Sequence, residues 1–416
     1  MKGQDYPIGY VRWTENRNME AILDLISMKK LDVLALVSHR FEIADALGAY
    51  DVITGKKLEK YLGILIQYPE KNGQAYQKTS ILQISQKGKQ ADAVTIGFIG
   101  AGNFAQSNLI PPLQKLPVHL KGVVTSKPVN ARSVAEKFNF DFCSTDQQQI
   151  LEDEDINAVF IASRHDSHAR YVMQALENGK HVFVEKPLAV TSDELAAIRD
   201  VYRQNAEEQN VILFTGFNRR FSSPFLEMKK FFDGRVEPLV MQYRVNAGYL
   251  PKTHWTLAPE QGGRIVGEGC HFLDCFSFMT EARPVRVFAE SINTENNSIE
   301  NADNVSITVR YADGSIGTLL YIASGSPALS KEYYEVHCEG RSALMHNFEE
   351  VTFFNQQQLR KRKFNGSKGH REEIAHFINI ITGKERTGLS VESIFDTTAA
   401  SLCAVESLRT GQAIAL

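Results

Sequence analysis

The tightest constraint on this chain is an apolar strand that runs directly into a glycine turn and a helix. Ile96-Gly97-Phe98-Ile99-Gly100-Ala101-Gly102-Asn103-Phe104-Ala105 has the spacing G-x-G-x-x-A. Gly100 permits a tight turn, Gly102 lets a ligand approach the backbone, and Ala105 keeps the helix close to the strand. The first N–H groups of such a helix have no intrahelical acceptor and carry partial positive charge, which suits a pyrophosphate. The glycines alone are a weak signal; the alternation of strand and helix downstream strengthens it. Strands are expected over 94–99, 120–124, 158–162, 181–184 and 211–215, with helices over 103–115, 130–138, 167–177 and from 192. Thr191 and Glu194 have the capping-box spacing of a helix start. This alternation implies a parallel sheet with helices on both faces, an α/β Rossmann domain that binds a dinucleotide.

From about Pro238 the period changes. Apolar runs over 239–245, 285–291, 305–311, 316–322 and 334–338 read as strands, and Asp313-Gly314 between two of them is a hairpin signal. Connections without helices point to an α+β domain with a large open, mostly antiparallel sheet, followed by helices over 372–381 and 391–409. A chain of 416 residues accommodates two or three domains. We expect the Rossmann domain over 93–217, the second domain over 218–416, and a polar linker over 71–92 with one short strand at 80–85. Residues 1–70 form a separate region with helices at 18–28 and 43–53 and a buried strand at 61–68.

Composition excludes several classes. The formal charge is −3, and apart from Lys361-Arg362-Lys363, which reads as a solvated strand end, the basic residues are dispersed, so no nucleic-acid partner is expected. No run approaches the roughly 20 apolar residues that span a bilayer, and the first seven residues lack an apolar leader; a soluble, cytoplasmic protein is expected. Cys143, Cys270, Cys275, Cys338 and Cys403 are odd in number and lack CxxC spacing, which argues for free thiols. His165 and His168 have H-x-x-H spacing but no further ligands in register, so no metal is expected.

The second strand of the alternating region runs into Val124-Thr125-Ser126-Lys127, and no acidic residue lies between Pro117 and Ala135. A carboxylate there would accept from the ribose 2′-OH of NAD. Ser126 and Lys127 instead suit a 2′-phosphate, so NADP(H) is favoured over NAD(H). Farther on, Val184-Glu185-Lys186-Pro187 closes another strand. Ligands of such sheets sit beyond the carboxyl ends of the strands, and a lysine in that cleft can exchange a proton with a substrate hydroxyl. Pro187 sets the turn and is compatible with a cis peptide bond.

With these motifs, residues 93–416 resemble the Gfo/Idh/MocA oxidoreductases. The resemblance rests on Gly100-Ala101-Gly102, Glu185-Lys186-Pro187, Gly216-Phe217-Asn218-Arg219-Arg220-Phe221, and Gly262-Gly263 leading to His271 and Asp274. It implies a Rossmann domain followed by an open-sheet domain, sugar, cyclitol or nucleotide-sugar substrates, and homodimers or homotetramers formed through that sheet. It further implies catalysis by Lys186 and by the histidine of a D-x-G-x-H segment, which falls on Gly267-Glu268-Gly269-Cys270-His271. Gly267 stands where the family's aspartate is usual, and Glu268 is positioned to supply the carboxylate from a shifted place. The cofactor contacts implied are Gly100, Gly102, Asn103, Phe104, Ala105, Ser126, Lys127, Ser163, His165, His168, Glu185 and Lys186. The substrate side is expected from Asn218, Arg219, Arg244, His254, Trp255, Arg264, Glu268 and His271, although a lone His or Arg on a strand is more often structural.

The first 70 residues resemble something else, the C-terminal end of a medium-chain zinc-type alcohol dehydrogenase, on Tyr6 to Trp13, Ser38-His39-Arg40-Phe41, Ala49-Tyr50 and Gly63 to Ile66. The residues of a catalytic zinc domain are missing from it, so an upstream dehydrogenase piece is a candidate partner. The expected function is hydride transfer between NAD(P) and a hydroxyl-bearing carbon of a sugar-like substrate. Two other classes remain open: a cofactor-binding subunit with weak or no turnover, and a hydrolase or lyase that uses NAD by transient oxidation.

Overall fold

The structure, a computed structural model, describes residues 7, 9–68, 81–85, 93–206, 210–295, 300–386 and 389–416. Most of the stretch read as a linker, 71–92, and most of the first seven residues lie outside the described residues. The chain forms two compact units, Met1–Lys78 and Thr79–Leu416.

In the first unit, helix α1 (Glu15–Ser27) starts at Thr14, whose side chain accepts from the Arg17 N–H. Strands β1 (Val37–Glu42) and β2 (Gly63–Gln67) pair in parallel, and α2 (Ala46–Ile53) lies between them in sequence. The strand expected to be buried, β2, is half exposed, because a single partner strand and one short helix cover it. Among the described residues of this unit only Ala49 and Val52 are buried, while Leu58, Leu62 and Tyr68 are largely exposed.

The second unit holds two sheets. The first contains β3 (Ile81–Gln83), β4 (Val94–Ile99), β5 (Val118–Val124), β6 (Phe142–Ser144), β7 (Ala158–Ile161), β8 (His181–Val184) and β9 (Leu213–Thr215), in the order β3-β6-β5-β4-β7-β8-β9. All pairs are parallel except β3 with β6. The short strand within the stretch read as a linker is therefore the edge of the Rossmann sheet. Helices α3 (Ile110–Leu113), α4 (Pro128–Phe138), α5 (Gln148–Leu151), α6 (His168–Glu177) and α7 (Ser192–Val201) connect the strands, and α7 carries the full Thr191–Glu194 capping box. The helix after β4 is not regular. Ala105–Leu109 is a π turn, with the Ile110 N–H reaching the Ala105 carbonyl. Pro111 and Pro112 follow directly and cannot donate to the preceding turn.

The second sheet follows α8 (Ser223–Phe231). It is built from β10 (Val240–Asn246), β11 (Pro284–Ser291), β12 (Asn304–Tyr311), β13 (Ile316–Ile322), β14 (Glu332–Cys338), β15 (Arg341–His346), β16 (Glu350–Asn355), β17 (Gln358–Lys363) and β18 (Ile414–Ala415). Their order is β17-β16-β15-β14-β10-β13-β12-β11-β18, antiparallel throughout except for β10 beside β13. Helix α9 (Cys270–Thr280) packs Phe272 and Phe276 onto one face, against Tyr243 and Tyr334. The last helices, α10 (His370–Ile381) and α11 (Val391–Thr410), return to the Rossmann core, which takes up Ile374, Phe377, Ile378, Ile394 and Phe395. Phe98, Phe160, Phe183 and Phe214 stack across four adjacent strands at centroid spacings of 5.0, 4.7 and 5.6 Å. Phe377 of α10 lies 5.5 Å from Phe160 and from Phe183. This aromatic contact holds α10 in register with the carboxyl edge of the sheet.

Candidate active site

The glycine turn is built as its spacing predicts. Gly100 has φ +87°, and a Cβ there would lie 2.6 Å from the Ala162 carbonyl and the Ser163 nitrogen, so the loop after β7 leaves no room for a side chain. A Cβ on Gly102 would meet nothing within 4 Å, because that residue faces an open cleft. Ala105 is buried behind the turn.

The cleft measures about 860 Å³ and runs along the carboxyl ends of the strands. Gly100, Gly102, Asn103, Phe104, Ser126, Ser163, His165, His168, Glu185 and Lys186 all line it; Ala105 and Lys127 do not. Lys127 is exposed at the start of α4, where its carbonyl accepts from Thr125 Oγ1 at 2.8 Å. Thr125, Asn130, Thr145 and Gln147 also line the cleft and were not singled out from sequence. A glycine turn with free space over Gly102 and an elongated cleft beyond it fits a dinucleotide.

The two histidines after β7 are fixed by carbonyl groups. His165 donates from its backbone N–H to Gln261 Oε1 (3.1 Å) and from Nδ1 to the Gln261 carbonyl (2.9 Å). Burial pushes its pKa down to about 4, so the ring is neutral at pH 7 and Nε2 keeps its lone pair. His168 is fully buried, with Nδ1 2.8 Å from the Pro187 carbonyl and Nε2 3.3 Å from that of Ser163. It ties the β7 loop to the segment after β8, and its ring nitrogens are occupied by the backbone. The peptide bond Lys186–Pro187 is cis.

Lys186 Nζ donates to the carbonyl of Gly267 at 3.0 Å, which joins the Rossmann edge to the segment before α9. Beside it, burial raises the Glu185 carboxyl to about 7. Residues Ile265–Gly269 form a further π turn, which widens the entry to α9. His271, in the first turn of α9, is buried, and its Nδ1 has no hydrogen-bond partner among the described residues. Burial pushes its pKa well below the usual value, and the cations Arg219 and Lys186 push the same way.

Among the residues expected on the substrate side, Arg264 and Glu268 belong to one ion cluster and Arg219 to another. Glu268 accepts from Lys331 Nζ (2.9 Å), from Arg264 (3.3 Å) and from the Tyr321 hydroxyl. Despite the burial of Glu268, Lys331 first and then the Tyr321 hydroxyl hold its carboxyl down to about 2. Glu268 is thus bound to the sheet and makes no hydrogen bond to His271 or Lys186. Arg264 is tied as well, to the carbonyls of Gly248 (2.7 Å) and Ala247 (3.3 Å). The second cluster centres on Glu332, which takes a bidentate Arg219 (2.8 and 3.1 Å), Lys368 (2.5 Å) and the Tyr243 hydroxyl (2.8 Å). Arg220 pairs with buried Asp274, so Asp274 serves structure. Asn218 donates to the Lys368 carbonyl at 2.8 Å. Arg244 donates to the Ser330 carbonyl (2.9 Å), and His254 Nδ1 contacts Thr256 Oγ1 (2.8 Å). Trp255 lies against His165, 4.9 Å between ring centres, and lines the cofactor-side cleft. Sequence reasoning missed Tyr321, Lys331, Glu332, Lys368 and Gln261. Among the described residues no group of three or more His, Cys, Asp or Glu is arranged to hold a metal, and no helix is long and apolar enough to cross a membrane.

Comparison with known proteins fits this architecture. The family described as "Oxidoreductase family, NAD-binding Rossmann fold" matches residues 94–217, and its companion, "GFO/IDH/MocA C-terminal domain", matches residues 233–343. The chain belongs to the Gfo/Idh/MocA oxidoreductases. Its relatives include the myo-inositol 2-dehydrogenase of Thermotoga maritima, 26% identical over 45% of this chain and 56% of that protein. Another is D-xylose 1-dehydrogenase (NADP(+)) 2 of Haloferax volcanii, 23% identical over 77% of this chain and 99% of that one. The similarity to three of the curated relatives spans 66%, 56% and 40% of their lengths. Among solved structures, a levoglucosan dehydrogenase in complex with NADH and levoglucosan shares the fold, with a TM-score of 0.67 at 18% identity over 78% of this chain and 99% of that one.

Within this family frame the departure at Gly267 has a physical reason. A Cβ at that position would lie 2.7 Å from Cε1 of His165. Since Gln261 holds His165 at its backbone N–H and at Nδ1 of its ring, no aspartate fits at 267 while His165 keeps its place.

Proposed function

We propose that this Gfo/Idh/MocA protein is an NAD(P)-dependent oxidoreductase acting on a hydroxyl-bearing carbon of a sugar, cyclitol or nucleotide-sugar. The observation that carries the reading is the juncture of the glycine-turn cleft with Lys186 and the unpartnered His271. When bound, the nicotinamide supplies or accepts the hydride. Lys186 has three donors, one of which goes to Gly267; the others remain for a substrate oxygen, which this ammonium polarises or exchanges a proton with. Neutral His271 takes up the hydroxyl proton or accepts its hydrogen bond through Nε2, since Nδ1 is sealed within the protein. The cations around it disfavour keeping that proton, which promotes passing it on. Arg219 and Glu268, each spent on its own ion pair, shape the pocket and hold no proton in transit.

For the cofactor we favour NADP(H), because Ser126 lines the adenosine end of the cleft and Lys127 stands exposed next to it, with no carboxylate in that loop. The test is absorbance at the nicotinamide band with a polyol panel of myo-inositol, scyllo-inositol, D-xylose and levoglucosan and either cofactor. Turnover with one of them supports the reading; product without net absorbance change favours transient oxidation. One observation supports a second reading, a cofactor-binding subunit with weak turnover: His271 has no carboxylate partner among the described residues. Cofactor binding without turnover on any polyol favours it.

Residues 1–70 resemble the end of a zinc-type alcohol dehydrogenase, and we assign them no chemistry of their own. A two-stranded parallel pair with many exposed apolar side chains supports reading them as part of a larger dehydrogenase domain, with an upstream piece as partner. The outer face of the nine-stranded sheet, with Val240, Phe288 and Leu320 exposed, is the surface through which we expect homodimers or homotetramers.

A further inference from the structure

His370 was not singled out by any sequence motif, yet it stands between the glycine turn and the Lys186–His271 end of the site. It opens α10, and α10 is anchored on the Rossmann sheet by Phe377, two turns on. Gly369 before it has φ +90°, and a Cβ there would run into the Asn218 carbonyl, so the backbone at this point is pressed against the segment 218–222. Asn218 fixes the same loop from the other side through the Lys368 carbonyl. The imidazole of His370 meets the ring of Phe104, in the glycine turn itself, edge-on at 5.7 Å. It is also within electrostatic reach of Lys186 and of His271. Neither ring nitrogen has a hydrogen bond to a described protein group, and neither is a sealed, orphaned atom; both border accessible space.

A dinucleotide in this cleft would be held at its pyrophosphate by the glycine turn and helix N-terminus, with its nicotinamide half toward Lys186 and the ribose carrying the nicotinamide between them. We infer that His370 is a cofactor-binding residue that hydrogen-bonds the hydroxyls of this ribose, closing the cofactor's nicotinamide half from the side of α10. The inference rests on the oxidoreductase reading above. A neutral imidazole suits the task, since it donates from one nitrogen and accepts at the other, matching a pair of hydroxyls. Burial, with Arg219 and Lys368 nearby, pushes the pKa down to about 4, so the ring is neutral at physiological pH. The π turn at Ala105–Leu109 lies next to Phe104 and packs against α10, so ring and turn are held together rather than by chance contact.

The experiment compares probes that contain or lack that ribose. Binding of NADH, NADPH, ADP-ribose and ADP (with their 2′-phosphorylated forms if NADPH binds better) is measured for the full chain and for His370→Ala and His370→Asn. The expected result is that His370→Ala weakens the reduced cofactor and ADP-ribose by roughly five- to tenfold, the scale of one or two neutral hydrogen bonds. ADP binding should stay within twofold, and His370→Asn should recover part of the loss. Unchanged cofactor affinity in His370→Ala overturns the inference. So does an equal loss for ADP, which would mark His370 as a prop for the whole cleft. If the unaltered protein binds none of the probes, both this inference and the oxidoreductase reading fall; if it binds them and the histidine variants bind equally well, the inference falls alone.

Discussion

The imidazole of His165 occupies the space that a side chain at Gly267 would need, with Cε1 2.7 Å from the site of a Cβ. The two positions are therefore one structural choice. We predict that Gly267→Asp destabilises the protein by roughly 1–3 kcal/mol, the usual cost of overpacking a filled site. Combined with His165→Ala the penalty should shrink, a coupling that a double-mutant cycle in denaturant melts measures directly. Additive effects would show that the two side chains do not compete.

Lys186 is the group proposed to meet the substrate oxygen. Lys186→Ala should lower turnover at least roughly 100-fold, as loss of a general acid–base group does, while NAD(P)H affinity stays near that of the unaltered protein. Near-normal turnover would remove Lys186 from the chemistry.

His165 makes stability depend on acid. Its pKa is about 4 in the folded chain and about 6.5 unfolded. A depressed value contributes stability that is complete above about 6.5 and is lost as pH falls toward 4. The difference corresponds to something on the order of 3 kcal/mol for a ring this buried. Melting temperature should therefore fall across that window, and His165→Asn should flatten the fall. An identical pH profile in the variant would contradict the assignment.

How far these features were legible in the sequence depended on how local their cause is. The glycine turn, the Thr191 cap and the Glu185-Lys186-Pro187 edge are each set within a few residues by backbone sterics or by strand-end position, and they stood out. Glu332 and Lys331 did not, because what defines them is pairing with Arg219 and Glu268, 113 and 63 positions away. Of β17, Gln358–Lys363, only the basic end was read as strand, since the segment is polar and fully exposed with no alternation to mark it. The short strand expected at 80–85 is β3, but its place at the edge of the Rossmann sheet shows only in its pairing with β6. His370 lies among polar residues, and the packing of Phe377 on the sheet sets α10 so that its ring meets Phe104.

The Arg219–Glu332 pair is buried and bidentate, so removing one partner leaves an uncompensated charge. Glu332→Gln should cost roughly 3–5 kcal/mol of stability, read from urea unfolding. A loss within about 1 kcal/mol, the scale of an exposed pair, would mean that water solvates the Arg219 guanidinium.

At the adenosine end, Lys127→Ala should weaken NADPH about fivefold, the worth of an exposed charge pair of about 1 kcal/mol, and leave NADH unchanged. Equal changes for both cofactors would show that Lys127 does not sense the 2′-phosphate.

The central claim is that the cleft over Gly102 binds a nicotinamide dinucleotide. Its most direct test is fluorescence titration of the full chain with NADH and NADPH, after assay of a denatured sample for cofactor retained through purification. The account predicts saturable binding of at least one, with NADPH preferred, or retained cofactor that masks the titration. No binding of either, with none retained, would contradict it.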